Sequence, residues 1–216
     1  MKYKLTEETK VVYCHTLHRI VCVTAFASVS VGDFGGWVES EKNLSQEGDA
    51  WVYGDAEVYG NAKVCGNAKV YGDAWVHGNA WVCDNACVYG NAKVYGNAKV
   101  YGDAWVHGNA WVYGNACVCD NACVYGNACV CDNAWVYGNA KVHGDADYIV
   151  LKNSWSSGRY FTYTASNKKW KVGCFYGTGE ELIAKAYKDS ELSGKCYEAS
   201  VKYVEEIERI KKEQKK

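Results

Sequence analysis

From Ala50 onward one six-residue unit, V-x-G-[ND]-A-x, repeats almost without exception, and it limits the fold more tightly than anything else in the chain. Val occupies every sixth position from Val52 to Val142, sixteen in all, and Ala every sixth from Ala50 to Ala146, seventeen in all. Asn or Asp precedes each of those Ala residues, and Gly stands before that except at Asp84, Asp120 and Asp132. Ala and Val are two apart, so in an extended chain they share one side while the residues flanking Val face the other. The Gly-Asn pair turns the corner, Gly having no Cβ to clash and Asn or Asp tolerating left-handed angles. A strand-turn unit this short cannot bury its own apolar side, so the units must coil and stack into a solenoid.

The pairs Val52 with Ala56 through Val142 with Ala146 carry a close resemblance to hexapeptide-repeat left-handed parallel β-helix proteins. That resemblance implies a mainly β fold, a triangular solenoid with three six-residue units, hence 18 residues, per coil. The uninterrupted block then makes between five and six coils, each rising ~4.8 Å. Upstream, Val38 and Leu44 keep the phase, and the two-residue excess between Leu44 and Val52 predicts a bulge or loop. Gly32 to Ser45, with Leu17, Arg19 and Ile20, resembles the N-terminal cap of phage- and prophage-associated members, and Cys174 to Leu182 resembles their C-terminal strand-strand-helix-helix module. The expected organisation is a β cap over 1–37, the hexapeptide-repeat β-helix over 38–147, and a small α+β ββαα cap over 148–216. Within the last, Tyr160 to Thr164 and Trp170 to Cys174 read as strands, and Thr178-Gly-Glu-Glu181 is a capping box that opens a helix to about Lys188. A break near Ser190 to Gly194 and a second helix from about Lys195 follow.

A net charge of -1 gives no general drive toward nucleic acid or anionic membrane. The longest uncharged run, Ile20 to Gly32, is 13 residues, short of the ~20 that span a bilayer. Glu7 and Glu8 precede that run and spoil it as an export signal, so a cytoplasmic protein with reduced thiols is the expectation for the 12 Cys.

Folding the repeat three units to the layer sorts the outward residues into columns. After Val, the first face carries Tyr53, Tyr71, Tyr89, His107, Tyr125 and His143; the second Tyr59, His77, Tyr95, Tyr113 and Cys131; the third Cys65, Cys83, Tyr101, Cys119 and Tyr137. Before Val stand Trp51, Trp75, Trp81, Trp105, Trp111 and Trp135, interleaved with Lys63, Lys69, Lys93, Lys99 and Lys141. Rings stacked at the strand spacing stabilise one another, which accounts for part of the pattern. So much outward Trp and Tyr also exceeds what a monomer exposes in patches, which makes Trp51, Tyr53, Tyr71, Trp75, Trp81, Tyr89, Tyr95, Trp105, Trp111, Tyr113, Lys69 and Lys93 the candidate ligand or interface residues.

The family resemblance implies homotrimers, and in its acyltransferase members a His between subunits serving as general base. Here His77, His107 and His143 are weak catalytic candidates, because each fills a slot that Tyr takes elsewhere and no acceptor loop interrupts the repeat. A zinc site built on three His is disfavoured, since His107 and His143 sit two coils, ~10 Å, apart. The Cys residues fail to converge in fours, so no metal site is assigned; Cys65 and Cys83 are vertical neighbours that could at most form a strained bridge. An ice-binding surface would need an outward Thr ladder, and the repeats contain no Thr. The favoured function is a non-enzymatic, oligomeric binding or scaffold solenoid of phage or prophage type, needing no cofactor, nucleic acid or membrane. Its alternatives are an acyltransferase taking acetyl coenzyme A and a protein that sequesters a small phosphorylated or nucleotide-like ligand, the latter suggested by Lys beside Trp and Tyr. Because inward Val has no polar neighbour, Val100→Asp is expected to destabilise the chain by about 4 kcal/mol or more; an unchanged melting temperature would contradict the inward assignment.

Overall fold

The computed structural model describes residues 1–214 and is a parallel β-solenoid of about six coils, followed by a small antiparallel sheet and two helices. Each unit contributes a two-residue strand ending in Val, and residues 18 apart pair in parallel, as Trp51 with Lys69 and Val52 with Val70. Three sheets result, one per face. Every repeat Val, and every repeat Ala through Ala140, is fully or almost fully buried in one continuous core. The inward series stops there: Ala146 lies exposed in a 3-10 turn, Asp145–Asp147. At the corners Gly takes φ of +59° to +72°, and Asp84, Asp120 and Asp132 take +58°. A Cβ on Gly90 would lie 3.1 Å from the backbone of Gly108 in the next coil, so the corners need Gly for closeness as well as for angle. Asp84 and Asp120 have Gly on both sides in their column and Asp132 has Gly114 in the coil before it, and Asp84 accepts a hydrogen bond from the Gly102 N–H at 3.1 Å. Asn side chains add amide ladders at the corners, such as Asn61 to Asn79 to Asn97 to Asn115, with donor-acceptor distances of 3.0 to 3.1 Å.

The ladder alternates. The amides flanking each Val donate to carbonyls of the next coil, as Trp51 N to Ala68 O and Tyr53 N to Val70 O, while the parallel register pairs the Val70 amide with the Trp51 carbonyl of the coil before. The first coil is therefore left with carbonyls such as those of Gly48 and Ala50 and the last with N–H groups such as that of Trp135, and burying either without a partner costs about 1–3 kcal/mol per group. At the first end, strands Tyr3–Val12 and His15–Cys22 form an antiparallel hairpin that joins Phe34–Val38 and so extends the second face. Gly35 and Gly36 let it lie against the coil, since a Cβ on either would meet Val52 or Ala56 backbone oxygen at 2.6 to 2.7 Å. The Lys2 ammonium donates to the carbonyls of Gly48 and Ala50 at 3.1 and 2.7 Å, and the Asn43 amide to those of Gly60 and Ala62 at 3.0 and 2.9 Å. The two-residue excess is absorbed here: Val38 pairs with Val58 and Leu44 with Val64, both 20 apart.

At the other end acceptors meet the N–H groups. Cys129 N donates to Asp145 at 2.8 Å, Trp135 N to the Thr162 hydroxyl at 2.9 Å, Lys141 N to the Ser166 hydroxyl at 2.7 Å, and His143 N to Asp147 at 2.8 Å. The terminal sheet has four strands, Tyr148–Lys152, Tyr160–Thr164, Lys169–Val172 and Phe175–Gly177; the first and last go beyond the two expected. Its core of Phe161, Tyr163 and Trp170 packs on Leu182, Tyr197, Val201 and Val204 of helices Gly179–Asp189 and Glu191–Glu213. Thr178 and Glu181 form the expected capping box. The expected break over Ser190 to Gly194 shrinks to Ser190 alone, which closes one helix and caps the next. Gly194 lies inside the second helix because a Cβ there would strike the Tyr187 ring at 2.3 Å; it marks helix contact rather than helix termination.

Two expectations about cysteine and tryptophan are corrected. Cys65 and Cys83 form a disulfide, since the 18-residue repeat brings their Cα atoms to 4.7 Å, inside the ~4.4–6.8 Å that an ordinary bridge spans. Trp51 is buried under Tyr3 and Phe26, at ring distances of 6.0 and 5.4 Å, and does not face solvent. Burial also pushes the Lys2 ammonium down from 10.5 to about 8, against the pull of Asp49. Between those values the unfolded chain holds a proton at Lys2 that the folded chain has released, so this group raises stability as pH climbs from 8 to 10.5. Urea denaturation at about pH 7 and at pH 10.5 should therefore show wild type gaining on Lys2→Met at the higher pH; a constant difference would refute the assignment.

Candidate functional site

The coil spacing dictates what the outward residues can do, because rings in the same slot of successive coils meet face to face. On the second face Tyr59, His77, Tyr95 and Tyr113 form one stack, with centroids 5.0, 5.1 and 5.0 Å apart and interplanar angles of 4°, 2° and 4°. On the first face Tyr71, Tyr89, His107 and Tyr125 stack at 4.9, 4.7 and 5.4 Å, and His143 turns edge-on to Tyr125. The pre-Val column supplies cations between indoles: Lys93 Nζ lies 4.6 Å from the Trp75 ring and 4.9 Å from the Trp111 ring. On the third face Lys63 and Lys99 flank Trp81 at 5.6 and 5.8 Å.

The second face is also concave. The hairpin turn overhangs it, placing Tyr13 edge-on to Trp75 at 6.1 Å and His15 against Tyr59 at 4.9 Å. His15 Nδ1 is held 2.9 Å from Glu39 Oε1, and Glu39 Oε2 accepts from the Gly60 N–H at 2.7 Å, so the overhang is tied to the first coil. Tyr13, His15, Tyr59, Trp75, His77, Lys93, Tyr95 and Trp111 thus line a groove of about 410 Å³. Five of these, Trp75, His77, Lys93, Tyr95 and Trp111, are candidates from the sequence. Tyr13 and His15 are not, because a non-repeating hairpin gives no column assignment. Their only signal is aromatic and imidazole side chains beside the turn of an otherwise charged hairpin.

The other candidates lie elsewhere. Tyr53, Lys69, Tyr71, Tyr89 and Trp105 belong to the first face, Trp81 to the third, and Tyr113 continues the second-face stack below the groove. His77 and His107 each have both ring faces covered by Tyr, and burial holds both imidazoles below their ordinary value, with Lys93 and His15 adding to the effect at His77. The nearest polar side-chain partner of His107 is the Cys123 thiol, 3.5 Å from Nε2. No group of three or more His, Cys, Asp or Glu converges as a metal site among the described residues. No described helix is long and apolar enough to cross a membrane.

The chain is a β-solenoid repeat protein. A family model described as the YdcK beta solenoid repeat matches residues 62–78 and 92–108, each stretch about one coil long. The matched stretches include Trp75 and His77 in the first and Lys93, Tyr95 and His107 in the second. A search of curated proteins finds no match.

Because His77 occupies a slot in an aromatic stack, His77→Tyr restores the residue the repeat uses most often there. Below the ordinary imidazole value of 6.5 the unfolded chain takes up a proton that the folded His77 resists, so wild type loses stability as pH falls through that value. His77→Tyr is expected to unfold cooperatively and to gain on wild type as pH falls below 6.5, read by thermal melts across pH.

Proposed function

We propose that this chain is a non-enzymatic scaffold solenoid of phage or prophage type, which assembles as a homotrimer through its aromatic and lysine faces. The observation that carries the reading is where the exposed indoles sit: Trp111 on the second face at 43% exposure, Trp105 on the first at 47%, and Trp81 and Trp135 on the third at 47% and 38%. A cyclic trimer joins two different patches of each copy, and large rings on more than one face suit that heterologous contact. Burying each such ring contributes about 1.5–3 kcal/mol relative to exposure. The capped ends favour sideways over end-to-end association, since neither offers a free strand edge.

The phage setting and the trimer both draw on the hexapeptide-repeat resemblance. An acyltransferase reading finds less support: the stacked His77 and His107 have no carboxylate partner among the described residues, and no loop interrupts Ala50 to Ala140. Light scattering at micromolar concentration should give about three times 24.0 kDa, roughly 72 kDa, with Trp111→Glu shifting the population to monomer. A wild-type monomer would remove the reading. Acetyl coenzyme A should leave the melting temperature unchanged, and a clear shift abolished by His77→Ala or His107→Ala would favour the enzyme instead.

A further inference from the structure

The third face holds a pair of cysteines that the disulfide does not use. Cys117 and Cys119 flank Val118 on one strand and point away from the core, yet they are 5% and 0% exposed. Size explains this. In their columns they lie between Lys99 and Trp135, and between Tyr101 and Tyr137, so longer side chains in adjacent coils roof the two thiols. Their sulfurs are 3.8 Å apart, and the Cys119 sulfur also lies 3.9 Å from the Val136 carbonyl. From the terminal sheet Lys171 reaches over the recess, its Nζ 4.2 Å from the Tyr137 ring and 5.3 Å from the Trp135 ring.

We propose that Cys117 and Cys119 form a two-coordinate site for a soft monovalent cation of the copper(I) class. Thiolates select soft ions, whereas zinc sites want four converging ligands, and no third His, Cys, Asp or Glu joins this pair among the described residues. Binding displaces both thiol protons to solvent and leaves two thiolates with one monovalent cation, a complex of net charge minus one. Lys99 and Lys171 complement that anion; a divalent ion would give a neutral complex and forgo the attraction. The reach is close to what is needed: a linear sulfur-metal-sulfur unit with bonds of ~2.3 Å spans roughly 4.6 Å, so the sulfurs separate by under about 1 Å. The roof also excludes water from the ion. Cys129 and Cys131 repeat the C-V-C spacing, with Asp132 following Cys131 as Asp120 follows Cys119, but they are partly exposed and have Trp111 rather than Lys in the preceding coil.

The test is anaerobic titration of the reduced chain, carrying Cys65→Ser, Cys83→Ser, Cys129→Ser and Cys131→Ser so that no other close thiol pair is present, with copper(I) held by a coloured competing chelator. The reference protein is expected to withdraw one tightly held equivalent, with X-ray absorption showing two sulfur neighbours. Adding Cys117→Ser and Cys119→Ser should abolish that equivalent. Lys171→Glu keeps both sulfurs and should weaken the affinity at least about tenfold, which guards against a serine variant that fails to fold. No withdrawal by the reference protein, three or more sulfur neighbours, or undiminished affinity in either variant overturns the proposal.

Discussion

A stack of parallel coils leaves a row of unpaired backbone groups at each end, and those rows govern both ends of the molecule. The amides that flank each Val donate toward the C-terminal end, so the first coil is left with carbonyls such as those of Gly48 and Ala50 and the last with N–H groups such as those of Trp135 and Lys141. The caps answer these particular groups with opposite chemistry. Lys2 and Asn43 bring donors to the first coil, and Asp145, Asp147, Thr162 and Ser166 bring acceptors to the last. Left bare, the carbonyl end of one copy would fit the N–H end of another and propagate a filament. Capping closes that route and leaves the three faces as the surfaces available to a partner.

Those faces are free to vary because the interior is already fixed by Val and Ala. Constant spacing between coils sets rings about 5 Å apart whichever ring is present, which is why His77 and His107 enter Tyr stacks without disturbing them. The same spacing turns a small side chain between large ones into a recess. Where Cys65 and Cys83 follow each other, the recess closes as a disulfide; where Cys117 lies between Lys99 and Trp135 and Cys119 between Tyr101 and Tyr137, it stays as a roofed dithiol. Binding character on this scaffold therefore depends on the order of residue sizes down a column more than on any single residue.

Much of this was legible because it is periodic or local. The inward Val and Ala, the corner Gly, the columns and the Thr178 capping box all follow from spacing within a few residues. What escaped depends on distant or unrepeated contacts. Trp51 reads as outward by phase, but Tyr3 and Phe26, far off in sequence, cover it. Gly194 reads as a helix stop, while the Tyr187 ring across the helix pair is what requires it. The stacks of the candidate site were visible as columns, whereas its concavity comes from the overhanging Tyr13 and His15, which no repeat position predicts.

The terminal sheet shows how a cap can do more than end a ladder. Thr162 satisfies the Trp135 N–H from the strand Tyr160–Thr164, and the neighbouring strand Lys169–Val172 carries Lys171 to the outer side of the same coil, over Trp135 and Tyr137. Register fixes the relation, since Thr162 pairs with Lys171 across the sheet. Sealing the last coil and placing a cation on the third face are thus one structural event. A chain that lost the cap would expose its N–H edge and at the same time remove a positive charge from beside Cys117.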